Sequence, residues 1–185
     1  MHGETGGLPR ESDGRQPNAA LCSAPKLRSM TSVYIARGAE LLLLYRIGSR
    51  VVPPCWCGIG GHFEPEEMND PQACLLRELK EETGIGPESL LNLRMRYMAI
   101  SRREKEIRLN YYFFADLLPG TQVEMCCEEG KLQWLPFDRQ LLEREMPRSA
   151  KAVLCHYYET GRHDDKIYAG AATGDTVAFH ELTVF

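Results

Sequence analysis

The chain opens without a hydrophobic pattern and acquires one near residue 31. Residues 1–29 hold Gly3, Gly6, Gly7, Pro9, Gly14, Pro17 and Pro25 and almost no aliphatic periodicity. Such a segment buries too little apolar area to offset the entropy of ordering, so a disordered tail is expected. From Thr31 onward the pattern is dense. Val33–Ile35 and Leu41–Tyr45 read as strands joined by a turn at Arg37-Gly38. Asp70-Pro71 suits a helix start, because Asp caps and Pro fits the first helical position. Ala73, Leu75, Leu76 and Leu79 then fall on one broad face, and Thr83-Gly84 supplies the stop. Leu93–Ile100 and Ile107–Leu117 alternate as strands and are expected to pair antiparallel about Arg103–Lys105. Lys131–Leu135 reads as a strand, and Phe137–Glu145 and Ser149–Thr160 as helices separated by Pro147. Lys166–Tyr168 and Val177–Phe185 read as a strand pair around Gly174-Asp175. There is no internal repeat and no regular βα alternation. The expected class is α+β, or α/β with a mixed sheet, in one domain spanning 30–185.

Composition narrows the function classes. The 185 residues are 43% hydrophobic and 26% charged, which excludes wholesale disorder. The formal charge of −4 disfavours a binder of polymeric nucleic acid, which would be basic. No apolar run nears the ~20 residues a membrane helix needs, so no membrane role is expected. Residues 1–29 lack the apolar core of a signal peptide, and Glu4, Glu11 and Asp13 weaken a transit-peptide reading. Met30 directly precedes the patterned region, which leaves open whether the tail belongs to the native chain. The odd count of seven cysteines suggests reduced thiols and a cytoplasmic location. Cys55-x-Cys57 is too tight for a zinc knuckle and has no matching second pair, so cysteines packed as small hydrophobes are expected.

The chemistry concentrates on the helix after Pro71. Glu78, Glu81 and Glu82 stand at i, i+3 and i+4, which places three carboxylates on one face. They repel one another, and they sit at the helix C-terminus, where the dipole disfavours negative charge. Two local rules broken together point to a functional site. A hard divalent cation resolves the conflict, since Mg²⁺ takes a few carboxylates and keeps waters and phosphates as its other ligands. The plainer alternative is a solvated acidic face with Lys80 and Arg77 as partners. The glycines Gly58, Gly60 and Gly61 before the helix and Arg77 within it favour the metal.

This segment resembles the Nudix box, G-x5-E-x7-R-E-U-x-E-E-x-G-U, where U is a bulky aliphatic. Gly61-x5-Glu67 matches its first part, and Arg77-Glu78-Leu79-Lys80-Glu81-Glu82-Thr83-Gly84-Ile85 matches its second at every fixed position. Nine residues, Met68 to Leu76, separate the parts where the pattern has seven; the surplus falls around Met68-Asn69-Asp70 and reads as a longer loop. The resemblance implies an α/β/α Nudix sandwich and a hydrolase of diphosphate linkages. It implies that Glu78, Glu81 and Glu82 bind Mg²⁺ or Mn²⁺ and that the Gly60 carbonyl adds a ligand. Arg77 would orient the glutamates through an ion pair with Glu67, for which Glu64 or Glu66 are alternatives. Gly61, Glu67 and Gly84 are the remaining motif positions. Glu78 is the first candidate general base; Glu124, Glu128 and Glu129, in an expected loop before Trp134, are the second.

The box names the bond and leaves the substrate open. In the nucleotide-cleaving branch an aromatic near Trp134 stacks on a base, although a core role for Trp134 is equally expected. Asn110 offers an amide that can read a base edge. Arg46 follows a strand and can reach phosphates, with a surface role as its alternative. Gly58-Ile59-Gly60-Gly61-His62-Phe63-Glu64, Asn110–Asp116 and Gly161–Lys166 resemble MutT-like proteins of the 8-oxo-dGTP diphosphatase kind. The reading is therefore a Mg²⁺-dependent pyrophosphohydrolase cleaving a nucleoside triphosphate to monophosphate and pyrophosphate. ADP-ribose, a dinucleotide or a sugar nucleotide remain alternative substrates, as does a non-catalytic nucleotide-binding regulator. An isopentenyl-diphosphate isomerase, which uses a catalytic cysteine and glutamate and for which Cys55 or Cys57 would be the cysteine, is the remotest. The partner is a small nucleoside di- or triphosphate, with a homodimer left open.

Overall fold

The computed structural model describes residues 24–47 and 53–184. Residues 1–23, most of the expected tail, lie outside them. Within them nine strands form one mixed sheet: β1 (Lys26–Arg37), β2 (Glu40–Arg46), β3 (Cys55–Cys57), β4 (Leu90–Arg103), β5 (Glu106–Leu117), β6 (Cys126–Cys127), β7 (Gly130–Pro136), β8 (Ile167–Thr173) and β9 (Thr176–Leu182). The order is β6-β7-β2-β1-β5-β4-β8-β9, with β3 on β2. β1 runs parallel to β5, β4 parallel to β8, and the other pairs are antiparallel.

Helices cover both faces. Helix α1 (Pro71–Thr83) sets fully buried Leu75 and Leu79 against Val33, Ile35, Leu42, Leu44 and Phe113. On the opposite face, α2 (Arg139–Glu143) and α3 (Arg148–Glu159) bring Leu141, Val153 and Leu154 onto Tyr34, Leu43, Tyr97 and Phe114. The expected α/β/α sandwich is therefore present. Strict alternation along β1 and β5 sends Tyr34 and Phe114 to α3 and Val33 and Phe113 to α1. No described helix is long and apolar enough to cross a membrane.

The expected ends of α1 are reproduced. Asp70 Oδ1 accepts from the Ala73 N–H at 3.0 Å, Pro71 opens the helix, and Gly84 closes it with φ +72° and its N–H on the Lys80 carbonyl. Three boundaries differ. β1 begins at Lys26, four residues before the expected domain edge at 30, because Lys26–Ser29 pair with Glu106–Leu109 of β5; a polar, proline-flanked segment gives no local sign of that distant partner. The helix expected over Phe137–Glu145 shrinks to Arg139–Glu143, since Asp138 caps Leu141 and Phe137 turns its ring to Tyr157 and Tyr158. β8 runs on to Thr173 through Ala169-Gly170-Ala171-Ala172, small residues whose strand state comes from pairing with β4 and β9.

Candidate active site

The loop from Gly58 to Phe63 is stitched along β1. Val33 N–H donates to the Ile59 carbonyl at 2.7 Å, Thr31 N–H to Gly61 at 2.9 Å, and Phe63 N–H to Ser29 at 3.3 Å. This track leaves no room for side chains. Gly60 has φ +142°, and a Cβ there would lie 2.6 Å from the Thr31 carbonyl oxygen. A Cβ on Gly61 would meet the Glu78 carboxylate at 2.4 Å. The paired glycines thus press backbone against the acidic face of α1.

Arg77 organises that face. Its Nε and one terminal nitrogen clasp Glu67 at 2.7 and 2.9 Å, the bidentate fork that guanidinium and carboxylate favour. The same terminal nitrogen reaches the His62 carbonyl at 3.1 Å. The other binds Glu78 at 2.9 Å and Glu81 at 3.3 Å. Of the three sequence alternatives, Glu67 is Arg77's partner. Residues Pro65–Glu67 form a short 3-10 turn in which Glu67 also receives the Glu64 N–H at 2.9 Å, and the Glu67 carbonyl accepts from Asp70 at 2.8 Å. The extra residues pass through this turn, between Glu67 and the cap at Asp70, so the lengthened spacing leaves the pair intact.

The electrostatics follow from this geometry. Hydrogen bonds from Arg77, then that from the Glu64 N–H, hold the Glu67 carboxyl well below its usual range, at about 2. Burial raises the pKa of Glu78 despite Arg77. Glu82 is pushed up to about 8, first by burial, then by the charges of Glu129 and Glu78; a hydrogen bond from the Gly60 N–H opposes this in part. Its Oε2 is buried without a hydrogen-bond partner. A buried carboxylate oxygen left bare is costly unless a cation or donor meets it. Among the described residues no three Asp, Glu, His or Cys side chains already surround a common point, and Arg77 explains why: it draws Glu78 and Glu81 onto itself. With Glu81 mostly solvent-exposed and Glu82 bare, the donor set fits a hard divalent ion.

Arg46, at the end of β2, reaches this neighbourhood. It pairs with Glu129 at 2.8 Å, and its charge acts on Glu82 and His62. Glu129 precedes β7, whose Gly130 lies opposite Arg46. Two of the three loop acids therefore come to this end of the molecule: Glu129 through the β2–β7 register, and Glu124, whose N–H donates to the Thr83 carbonyl at 3.4 Å and whose carboxylate lies against Gly84; loop spacing carried no signal for either.

A NUDIX domain model matches residues 26–156. The chain belongs to the NUDIX family. As a Nudix hydrolase it acts on diphosphate bonds, and the family's substrates are small nucleotides. Its fold is similar to a MutT protein of Bacillus halodurans, at 22% identity over 83% of this chain and 97% of that one, with a TM-score of 0.62. A MutT protein of Methanosarcina mazei is 18% identical over 75% and 97%, with a TM-score of 0.60. An Ap4A hydrolase of Caenorhabditis elegans is 17% identical over 75% and 99%, with a TM-score of 0.58.

Two sequence candidates stand apart from the Nudix carboxylates. Trp134 lies opposite Leu42 on β7, four residues from the Gly130–Arg46 pair and so roughly 13 Å along the strand. Its ring packs on the α1-side core and carries the Arg37 guanidinium at 4.0 Å. Asn110 faces the other side of the sheet, where its amide reaches Ser149 Oγ at 3.4 Å beside the Tyr112–Ser149 bond of 2.8 Å. Strand alternation decides the position of Asn110, and the β2–β7 register that of Trp134; neither was legible from spacing alone.

Proposed function

We propose that this protein is a Mg²⁺- or Mn²⁺-dependent pyrophosphohydrolase that cleaves a nucleoside triphosphate, 8-oxo-dGTP among the candidates, to monophosphate and pyrophosphate. The observation that carries the reading is Glu82: a part-buried carboxylate with one buried oxygen left bare, beside Glu78 and a glycine track that admits no side chain. Glu78, Glu81 and Glu82, with the Gly60 carbonyl, would hold the ion. Its chemistry when bound is to neutralise phosphate charge and acidify water at the site.

The chain's own groups do the rest. Glu67 anchors Arg77, and Arg77 holds the carboxylates on one side of α1. Arg46 draws the phosphates toward the Gly60-Gly61 track. Glu78, whose pKa burial raises, is a stronger base than an exposed carboxylate. It takes a proton from the attacking water as the water oxygen bonds to phosphorus. The phosphoanhydride P–O bond breaks, and the leaving phosphate departs with the electron pair. Thiols at Cys55, Cys57, Cys74, Cys127 and Cys155 are unbridged, which supports a reducing, cytoplasmic setting.

The test is to incubate the purified chain with millimolar Mg²⁺ and a panel of 8-oxo-dGTP, the ordinary dNTPs, ADP-ribose and a dinucleoside polyphosphate, reading products by chromatography. Monophosphate plus pyrophosphate from a triphosphate supports the proposal. Cleavage of ADP-ribose or the dinucleotide alone overturns the triphosphate reading and keeps the chemistry. Nucleotide binding without turnover overturns catalysis.

A further inference from the structure

We propose that two copies of this chain pair through the sheet face that α1 leaves uncovered, the surface built by β5, β4, β8 and β9. On these strands one set of side chains, Tyr97, Tyr112 and Tyr168 among them, packs into the α3-side core. The alternate residues point the other way. The register sets Ile100 beside Leu109 and Ala171, Ala171 beside Ala178, Met98 beside Ala169, and Ile167 beside Leu182. These form a mostly apolar surface across four strands, with exposed His180, opposite Ala169, as its polar member. Helix α1 covers Val33, Ile35, Leu42 and Phe113. Beyond Phe113 no helix covers this side among the described residues, and Ile100 and Leu182 are 45% and 46% exposed. A sheet with apolar residues on both faces normally has both faces covered.

Size and charge argue for a second copy as the cover. Strands ~4.8 Å apart, with ~3.3 Å per residue along each, make the apolar area roughly 15 Å on a side. That is the core of a standard interface of about 800 Å² per partner, with room for a polar rim. The rim is unequally charged. The β4–β5 turn puts Arg102, Arg103 and Lys105 at one margin against the single carboxylate of Glu104, Glu106 being paired with Arg108 at 3.0 Å. At the adjacent margin Phe63 packs on Tyr111 and leads into Glu64 and Glu66. A two-fold axis lying in the contact plane, diagonal to the strands, exchanges adjacent margins. It sets the basic turn of each copy on the acidic turn of the other. It also crosses the strands at nearly 90°, one of the two favoured ways for sheets to pack.

The test is sedimentation velocity on the full chain from about 1 to about 100 µM, a range that brackets micromolar association. The expected result is a mass near twice 21.0 kDa at the upper end. Ile100→Glu should weaken association at least tenfold while keeping the wild-type circular dichroism spectrum. Ala178→Glu, on the exposed outermost strand, should do the same and keeps the experiment decisive if Ile100→Glu misfolds. Arg103→Glu should weaken association to a smaller degree. A single-chain mass at every concentration overturns the proposal, and so do variants that associate like wild type. A monomer that dimerises only after residues 1–23 are removed also overturns it, because the chain's own N-terminal segment is then the cover.

Discussion

Glu67→Gln isolates the clasp that holds the catalytic helix. The change keeps the side-chain volume and removes the charge that binds Arg77 through bonds of 2.7 and 2.9 Å. Glu67 and Arg77 side chains are 11% and 24% exposed, so the pair is only partly screened. A carboxyl held at about 2 instead of 4.5 corresponds by linkage to roughly 3 kcal/mol of folded-state preference at neutral pH. Arg77 keeps Glu78 and Glu81 in the variant, which lowers the expected loss to about 2 kcal/mol. In a domain of this size that is a fall in Tm of roughly 4–8 °C. The sign with pH is fixed: the folded pKa lies below the unfolded one, so the stabilisation is complete above about pH 5 and fades as pH falls toward 2. Melting curves of both proteins, metal-free, from pH 8 to pH 3 measure it. The gap between them should stay constant to about pH 5 and then close. A gap under about 1 °C at pH 7, or one that widens on acidification, would refute the reasoning. Turnover should also fall roughly 10–100-fold, the usual loss when a partner that orients metal ligands is removed.

Further outcomes follow from neighbouring groups. Glu82→Gln should raise the Tm of the metal-free protein at pH 9, because a carboxyl with a folded pKa of about 8 destabilises the fold increasingly as pH rises from about 4.5 through 8; it should also abolish the Tm increase given by Mg²⁺, and a lower Tm at pH 9 would contradict the burial argument. Gly61→Ala should leave Tm within about 2 °C, since only the flexible end of Glu78 must move, yet cut kcat at least tenfold by displacing that carboxylate; equal activity would show that Glu78's position is immaterial. Arg96→Met, far from the carboxylates, should destabilise by about 3 kcal/mol or more while sparing KM, because it strips hydrogen bonds from the carbonyls of Gly161, Asp164 and Lys166 and leaves the Asp164 carboxylate without its ion pair; chemical denaturation measures it.

The sequence by itself determined the helix, its ends and its chemistry. Asp70-Pro71 and Gly84 terminate α1 through bonds within a few residues, and three glutamates at helical spacing share a face wherever that helix sits. Alternation along Leu93–Ile100 and Ile107–Leu117 was equally local, and both strands formed. Only the tertiary structure decided what depends on register between distant strands. It drew Lys26–Ser29 into β1 through pairing with β5, and it made a strand of the small residues in β8 through pairing with β4 and β9. It chose Glu67 over Glu64 and Glu66 by the turn at Pro65, and brought Glu129 to Arg46 by the β2–β7 register. It sent Asn110 to the face opposite the carboxylates by strand alternation, and set Trp134 on the carboxylate face but four residues along β7 from the Gly130–Arg46 pair. Helix signals travel over three or four residues and survive without their surroundings. Sheet positions are fixed by partners far away along the chain, as Glu40 is by Pro136, so neither the pairing nor the face is written in any one segment.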